Sequence, residues 1–277
     1  MSDGSPTRQL LAYRAAKLLK RASRLAGRVI SPPAHKLGFE DSVRRAQKRL
    51  HARLDNMSLP ERVRRGELMI ERRVSRLEGL NEMLRTTFGQ LDPSDPGDYL
   101  EFGVYYGSSL VSAWNAMEAL GLDRMRCFGF DSFEGMPQET AAEAGPWLPG
   151  QFRSQIEFTW SQLQRAGVDP DRVRLIKGWF SDTLTPATAE RYELRKAGVV
   201  MIDCDIYSST RVALEFCETL VDEFAFFLFD DWDAPHLPKG EGERRAFEEF
   251  LDRHPRMSAE EMGRYGPTTR VFRVGGG

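Results

Sequence analysis

The most regular pattern in the chain is a series of short apolar runs that starts near residue 98 and alternates with helix-like segments. Five of these runs are typical of buried strands: DYLEFGV, MRCFGFD, RVRLIKG, GVVMIDCD and FAFFLFDD. Segments such as SSLVSAWNAMEALG and SSTRVALEFCETLVDEF separate them and carry apolar residues at helical spacing. This alternation predicts an α/β fold with an open parallel sheet and helices on both faces.

The first 90 residues follow a different pattern, which is helical and rich in charge. Apolar residues at helical spacing predict an amphipathic helix over residues 8–30, with a stripe of Arg and Lys on another face, and further helices over residues 40–90. Two prolines and a glycine interrupt the chain in LDPSDPGDY. We therefore predict a helical N-terminal extension over residues 1–90 and an α/β domain over residues 91–277.

Charge is unevenly distributed. Residues 1–56 hold 13 Lys or Arg against 4 Asp or Glu, although the whole chain has a net charge of -2. The basic helix could contact an anionic membrane surface, or it could dock on its own domain or on a second subunit. We favour docking and expect a homo-oligomer. Nucleic acid is not an expected partner, because no aromatic residues alternate with the charges.

The composition fits a globular protein of the cytoplasm. No apolar run approaches the roughly 20 residues of a membrane-spanning helix, and the N-terminus shows no apolar signal core. The three cysteines, Cys127, Cys204 and Cys217, lack the spacing of a zinc site. We predict that most of them are small core residues in a reducing compartment.

Acidic residues stand at or next to the ends of four of the five predicted strands: Glu101, Asp131, Asp203 and Asp230. One terminal Asp is ordinary, because Asp often starts a turn. In open parallel sheets ligands bind beyond the carboxyl ends of the strands. Four carboxylates gathered there would repel one another without cations or hydrogen-bond donors. The pattern therefore predicts a binding site at this edge.

The turn after the first strand adds to this hypothesis. Gly103 and Gly107 enclose it and would let backbone amides approach a ligand, although the spacing is not that of the dinucleotide fingerprint and also suits a tight turn. Asp131 lies 30 residues after Glu101, at the end of the next strand, where an acid can accept hydrogen bonds from a ribose. We infer a cofactor that contains a nucleoside.

Five motifs, EFGVYYGSS, GFDSFEGMP, KGWFSDTL, IDCDIYSST and FDDW, occur in the order found in the macrocin-type O-methyltransferases. The chain resembles this family over about residues 97–251. The resemblance implies the Rossmann-like sheet of class I methyltransferases that use S-adenosyl-L-methionine (SAM). It also implies a Mg²⁺ cofactor and, as acceptor, a sugar hydroxyl of a small molecule in antibiotic biosynthesis.

The same resemblance assigns roles to individual residues. The methionine part of SAM would lie near Glu101, Gly103, Gly107 and Ser109; the ribose near Asp131, Ser132 and Phe133; the adenine near Gly178, Trp179, Phe180, Ser181 and Asp182. Core packing is the alternative for Trp179 and Phe180. The metal ligands would be Asp203, Asp230 and Asp231.

Asp205 corresponds to the family's general base. His236 is a second candidate base, although a surface histidine is the simpler interpretation. Two other functions compete with methyl transfer. DCDIY is similar to the start of the haloacid dehalogenase phosphatases, but those carry it on the first strand. A non-catalytic adaptor that binds a membrane or a protein through its basic helix would have no need of the acidic residues.

Overall fold

The computed structural model describes residues 75–143, 147–235, 237–238 and 240–276. The basic helix predicted over residues 8–30, most of the helical region predicted over residues 40–90, and His236 lie outside the described residues.

The described residues contain a seven-stranded sheet with the order β3-β2-β1-β4-β5-β7-β6. Its strands are β1 Asp98–Phe102, β2 Cys127–Asp131, β3 Val173–Lys177, β4 Ala197–Ile202, β5 Phe224–Phe229, β6 Met257–Gly263 and β7 Arg270–Gly276. The first five are parallel, which confirms the five predicted strands. The last two are antiparallel and were not predicted. Since β6 is an edge strand with no fully buried residue, it lacks the apolar run that identified the others.

Helices cover both faces of the sheet, as predicted. They are α1 (residues 75–88), α2 Ser108–Leu120, α3 Thr140–Glu143, α4 Ile156–Arg165, α5 Phe180–Thr183, α6 Pro186–Arg191, α7 Tyr207–Cys217 and α8 Glu243–Arg253, with a 3₁₀ turn at Glu218–Leu220. In β1, Tyr99 packs in the core beneath α1 and α2, whereas Leu100 and Phe102 pack in the core beneath α7 and α8. Burial on both faces explains why the strands have no polar alternation.

Helix α1 precedes the proline-rich break and packs on the sheet. Leu80, Leu84 and Phe88 recur every four residues and are almost fully buried. The ring of Phe88 meets the ring of Tyr99 edge-on, with 6.1 Å between centroids. The compact unit that contains the sheet accordingly begins at Ser75, before the predicted domain start at residue 91.

The three cysteines are free and buried, which confirms their interpretation as core residues. None of the described helices combines the length and the apolar composition needed to cross a membrane.

The turn after β1 lies directly against the end of β4. Gly103 has a φ of 93°, and a Cβ atom there would lie 1.9 Å from the carbonyl oxygen of Asp203. The Gly103 N–H donates to Phe130 O, and the Asp203 N–H donates to Phe102 O. The carboxyl ends of β1, β2 and β4 are thereby joined at one edge.

This contact makes Gly103→Ala a test of the fold. Gly121 is a matched control, because its φ is 66° and no atom lies within 4 Å of the position that a Cβ atom would occupy there. We expect Gly121→Ala to cost about 1–2 kcal/mol of unfolding free energy for the left-handed backbone, and Gly103→Ala a further 1–3 kcal/mol or so for the collision with backbone. Urea denaturation measures both, and equal losses would contradict the close approach.

Candidate functional site

Three carboxyl groups meet at the ends of β4 and β5. One oxygen from each of Asp203, Asp230 and Asp231 lies within 4.8 Å of the others. The parallel register pairs Ile202 with Phe229, so the residues that follow these two strands become neighbours. The structure therefore brings together the three predicted metal ligands, and their hard oxygen atoms suit a divalent cation such as Mg²⁺.

Asp205 lies beside this group in an unusual backbone conformation. Its φ is 64°, and the Ile206 N–H donates to Cys204 O at 2.7 Å, which makes Asp205 the centre of a γ-turn. A γ-turn with positive φ is rare and strained, and strained residues concentrate at functional sites. Burial raises the pKa of the Asp205 carboxyl well above its usual value, and the neighbouring charges of Asp231 and Asp203 raise it further.

The described residues do not fully compensate the negative charge of the acidic cluster. Burial raises the pKa of Asp203 to about 7; Arg76 opposes this shift and Asp231 adds to it. A cation bound between these carboxyl groups would neutralise their charge and lower their raised pKa values. The arrangement thus fits a divalent metal ion on chemical grounds.

Two side chains that contact Asp230 were not predicted from the sequence. Arg76 in α1 forms an ion pair with the Oδ2 atom of Asp230. The Tyr265 hydroxyl, from the β6–β7 connection, donates to Oδ1 at 2.9 Å. Arg76 lies more than 150 residues from Asp230 and Tyr265 lies beyond the predicted strands, so no local pattern marked either.

Glu243 is a further buried acid that the sequence did not reveal. It opens α8, is 0% exposed, and its Oε2 atom accepts the Asp231 N–H at 2.9 Å. Its Oε1 atom has no hydrogen-bond partner among the described residues. Burial raises the pKa of Glu243 well above its usual value. In sequence it resembles an ordinary acid at a helix N-terminus, where Glu is common on exposed surfaces.

Glu243→Ala and Glu243→Gln should therefore differ. Alanine leaves the buried Asp231 N–H without an acceptor, which should lower the free energy of unfolding by about 1–3 kcal/mol. Glutamine keeps an acceptor oxygen and removes the buried acid, so its stability at pH 8 should equal or exceed that of the wild type. Urea denaturation provides the measurement, and equal destabilisation by both variants would count against this role.

The predicted ribose acid, Asp131, serves as an anchor for backbone amides. Its Oδ2 atom accepts from Val104 N and Tyr105 N, both at 2.8 Å, and its Oδ1 atom accepts from Phe133 N at 2.6 Å. A carboxylate offers about four lone-pair positions. About one position is left, so Asp131 could accept a single ribose hydroxyl without losing an amide.

Other residues of the predicted cofactor site lie around this anchor. The Gly178 N–H donates to the Asp131 carbonyl oxygen at 3.0 Å, so the predicted adenine segment adjoins the predicted ribose acid. Trp179 is 39% exposed, which argues against core packing for this ring. Phe180 does pack inward, with its ring 5.9 Å from that of Phe102. Ser181 and Asp182 are exposed and hydrogen-bonded to each other.

Three predicted residues contribute mainly through backbone or local structure. The Phe133 ring is 1% exposed, so its N–H rather than its ring faces the Asp131 carboxylate. The Ser132 hydroxyl donates to Gly135 O and accepts from Glu134 N, which closes the turn after β2. Gly107, with a φ of 81°, occupies the N-cap of α2.

Glu101 is fully buried at the end of β1. Its Oε1 atom accepts from the predicted neighbour Ser109 at 2.7 Å, and its Oε2 atom accepts from Tyr99 Oη at 2.6 Å, a partner that the sequence did not indicate. Burial raises the pKa of Glu101 to about 8, although both hydrogen bonds oppose the shift. A cationic ligand group bound beside Glu101 would lower this pKa and favour the ionised carboxylate near neutral pH.

Glu101 should leave a signature in the pH dependence of stability. Its pKa is 4.5 when unperturbed and about 8 in the fold. Between these values the folded chain holds a proton that the unfolded chain releases. The free energy of unfolding should therefore fall as pH rises through this window, by up to about 1.4 kcal/mol per pH unit.

Glu101→Gln should remove this contribution, so that the wild type loses stability relative to the variant between pH 5 and pH 8. Urea denaturation at several pH values would show it. Glu82→Gln, on the exposed side of α1, is the control and should run parallel to the wild type. Parallel curves for the wild type and Glu101→Gln would contradict the buried proton.

Comparison with known proteins places these features in context. The family described as Macrocin-O-methyltransferase (TylF) matches residues 34–255. A Streptomyces olivaceus protein, 8-demethyl-8-(2,3-dimethoxy-alpha-L-rhamnosyl)-tetracenomycin-C 4'-O-methyltransferase, is 31% identical over 180 residues, which cover 60% of this chain and 66% of that protein. Mycinamicin III 3''-O-methyltransferase of Micromonospora griseorubida is 27% identical over 187 residues, covering 64% of this chain and 69% of that protein.

Solved structures agree on the fold. The calicheamicin methyltransferase CalS11 superposes with a TM-score of 0.58 at 21% identity, covering 98% of this chain and 94% of its own. The O-methyltransferase NovP superposes with a TM-score of 0.57 at 20% identity, covering 72% and 79%. The predicted class I methyltransferase fold is confirmed.

Proposed function

The chain belongs to the macrocin O-methyltransferase (TylF) family, and on this basis we propose that it methylates a sugar hydroxyl of a glycosylated small molecule, with SAM as donor and Mg²⁺ as metal. The observation that carries the proposal is the meeting of Asp203, Asp230 and Asp231 within 4.8 Å, beside the strained Asp205. The name of the Streptomyces olivaceus relative specifies a rhamnosyl group, which supports a sugar acceptor.

The methionine, ribose and adenine parts of SAM are assigned to residues at or after the ends of β1, β2 and β3. Glu101 and Ser109 would bind the methionine part, Asp131 one ribose hydroxyl, and residues 178–182 the adenine. These assignments are supported by the hydrogen bond between Gly178 and Asp131 and by the exposed ring of Trp179. The fixed backbone amides around Asp131 would orient the cofactor without a change in the fold.

Asp203, Asp230 and Asp231 would hold the metal, and Tyr265 and Glu243 would keep two of them in position. When bound, SAM supplies a methyl group on a sulfonium, and Mg²⁺ supplies positive charge that lowers the pKa of a coordinated hydroxyl. Asp205 would take the hydroxyl proton on a carboxylate oxygen while the acceptor oxygen forms its bond to the methyl carbon. The bond between that carbon and the SAM sulfur would break in the same step and leave S-adenosylhomocysteine. The half-buried position of Asp205 limits the access of water to this step.

The γ-turn gives Asp205 a backbone conformation that distinguishes it from the proposed metal ligands. The turn reverses the chain between β4 and α7, with Asp205 at its centre and Asp203 directly at the end of β4. Its raised pKa favours proton uptake. A half-buried carboxyl in a strained turn lowers the stability of the fold, and a role in proton removal from the acceptor would explain why it is present.

The predicted homo-oligomer, the cytoplasmic location and the contact of the basic helix with a subunit or a membrane remain predictions. The phosphatase alternative does not fit, because Asp203 follows the fourth strand of the sheet rather than the first.

Asp205→Asn and Asp203→Asn test the division of roles. Loss of a general base should lower kcat by about 10²- to 10⁴-fold, while the dependence on Mg²⁺ concentration and the affinity for S-adenosylhomocysteine (SAH) stay close to wild type. Asp203→Asn should raise the Mg²⁺ concentration needed and should weaken Mn²⁺ binding in electron paramagnetic resonance titrations. The assay follows SAH release with a panel of rhamnosides and other glycosides.

Two results would contradict the proposal. Full turnover in excess chelator would show that the acidic residues have a structural role. Near-normal turnover by Asp205→Asn would place the base elsewhere, and His236→Ala would then be the next variant to measure.

A further inference from the structure

Exposed aromatic side chains are concentrated near the proposed site. In the part of the chain that the structure describes, five large hydrophobic residues are more than a third exposed: Tyr106, Leu120, Phe152, Phe158 and Trp179. Three of them share a ring cluster with Tyr105 and Trp147. The centroid distances are 3.7 Å for Tyr105–Tyr106, 5.0 Å for Tyr106–Phe158, 6.0 Å for Tyr105–Phe152 and 5.0 Å for Trp147–Phe152. We call these five residues, Tyr105, Tyr106, Trp147, Phe152 and Phe158, the aromatic platform.

The aromatic platform is continuous with the proposed active site at two points. The Tyr105 N–H donates to the Asp131 carboxylate, which anchors the nucleoside side. Trp147 packs against Ile206, the residue that follows Asp205, and against Met136. The platform therefore extends from the nucleoside acid to the γ-turn of the proposed base.

The platform is held rigidly. The Tyr105 carbonyl oxygen accepts hydrogen bonds from Ser154 Oγ at 3.0 Å and from Thr159 Oγ1 at 2.6 Å, and Thr159 is fully buried. Tyr105 and Phe152 both have positive φ values, 51° and 62°. Such conformations persist only where surrounding contacts enforce them. A surface fixed before binding loses little conformational entropy when a ligand arrives.

We propose that the aromatic platform binds the aglycone of the acceptor, and that this aglycone is a flat, apolar or aromatic ring system. The proposal rests on the proposed function, because a sugar whose hydroxyl lies at Asp205 must carry its aglycone into the neighbouring surface. Aromatic rings with exposed faces and edges stack favourably on other ring systems. Clusters of exposed apolar side chains are typical of ligand-binding surfaces.

The charges beside the platform disfavour a nucleotide sugar as the acceptor. A diphosphate requires unpaired cations. Arg153, next to Phe152, and Lys177, at the end of β3, both form ion pairs with Glu134, at 3.0 Å and 3.6 Å. Both of these cations are thus already paired, whereas Tyr106, Phe152 and Phe158 keep more than a third of their surface exposed.

Two probes that differ in the aglycone alone test the proposal: 4-nitrophenyl α-L-rhamnopyranoside and methyl α-L-rhamnopyranoside. Calorimetry uses the full chain saturated with SAH and Mg²⁺. We expect the aryl glycoside to bind at least about tenfold more tightly. Tyr106→Ala and Phe158→Ala should each weaken aryl binding by about 2- to 12-fold, the range for one aromatic contact. The methyl glycoside and SAH should bind both variants as they bind the wild type.

Leu120→Ala is the matched control, because Leu120 is 38% exposed at the end of α2 and lies outside the platform. It should bind the aryl glycoside as the wild type does. Light scattering of every variant accompanies the titrations, since a second copy of the chain is the competing occupant of the surface.

Several results would overturn the proposal. The first is that the aryl glycoside binds the wild type no more tightly than the methyl glycoside does. The second is that the aryl glycoside binds Tyr106→Ala and Phe158→Ala as tightly as it binds the wild type. A change of oligomeric state in the two platform variants would assign the surface to a contact between copies instead. In each case intact SAH binding would leave the proposed function standing, whereas failure of the wild type to bind SAH would overturn both.

Discussion

The mutual repulsion of clustered carboxyl groups, buried or half-buried, is the constraint on which the rest of the site depends. Five acidic side chains are confined to the ends of β4 and β5 and the start of α8: Asp203, Asp205, Asp230, Asp231 and Glu243. Burying so many charges without partners is prohibitively costly. Arg76 and the Tyr265 hydroxyl contact Asp230, and the pKa of Asp203 is raised, so part of the negative charge is neutralised. A divalent cation could neutralise the remainder.

The two halves of the site are coupled through backbone rather than through side chains. Asp131 collects amides from the β1–α2 turn and from the turn after β2. The same β1–α2 turn touches Asp203 at Gly103, where a side chain would not fit. The proposed cofactor position over β1 and β2 is therefore linked to the position of the acids at the end of β4, as a transfer between two bound partners requires.

The connection between β2 and α4 links these halves a second time. Glu143 Oε2 accepts the Ser208 N–H at 2.9 Å, which holds the start of α7 directly after the γ-turn. Trp147 packs on Ile206 in the same region. This connection also carries Trp147 and Phe152 of the aromatic platform. One connection therefore supports the proposed base and supplies part of the apolar surface proposed for the aglycone.

The sequence by itself determined the parallel strands and the acids at their ends. Doubly buried strands must be apolar throughout, and parallel strands place their carboxyl ends at one edge, so Glu101, Asp131, Asp203 and Asp230 could be expected to lie there. The family resemblance added Asp231 to this group. The tertiary structure alone decided which groups surround them. Arg76, Tyr265 and Glu243 reach the acids from distant or edge elements, and spacing along the chain carries no record of such contacts. Positive φ at Asp205 and the three amides on Asp131 likewise depend on how the turns pack, because dihedral angles and occupied lone pairs are set by neighbours in space.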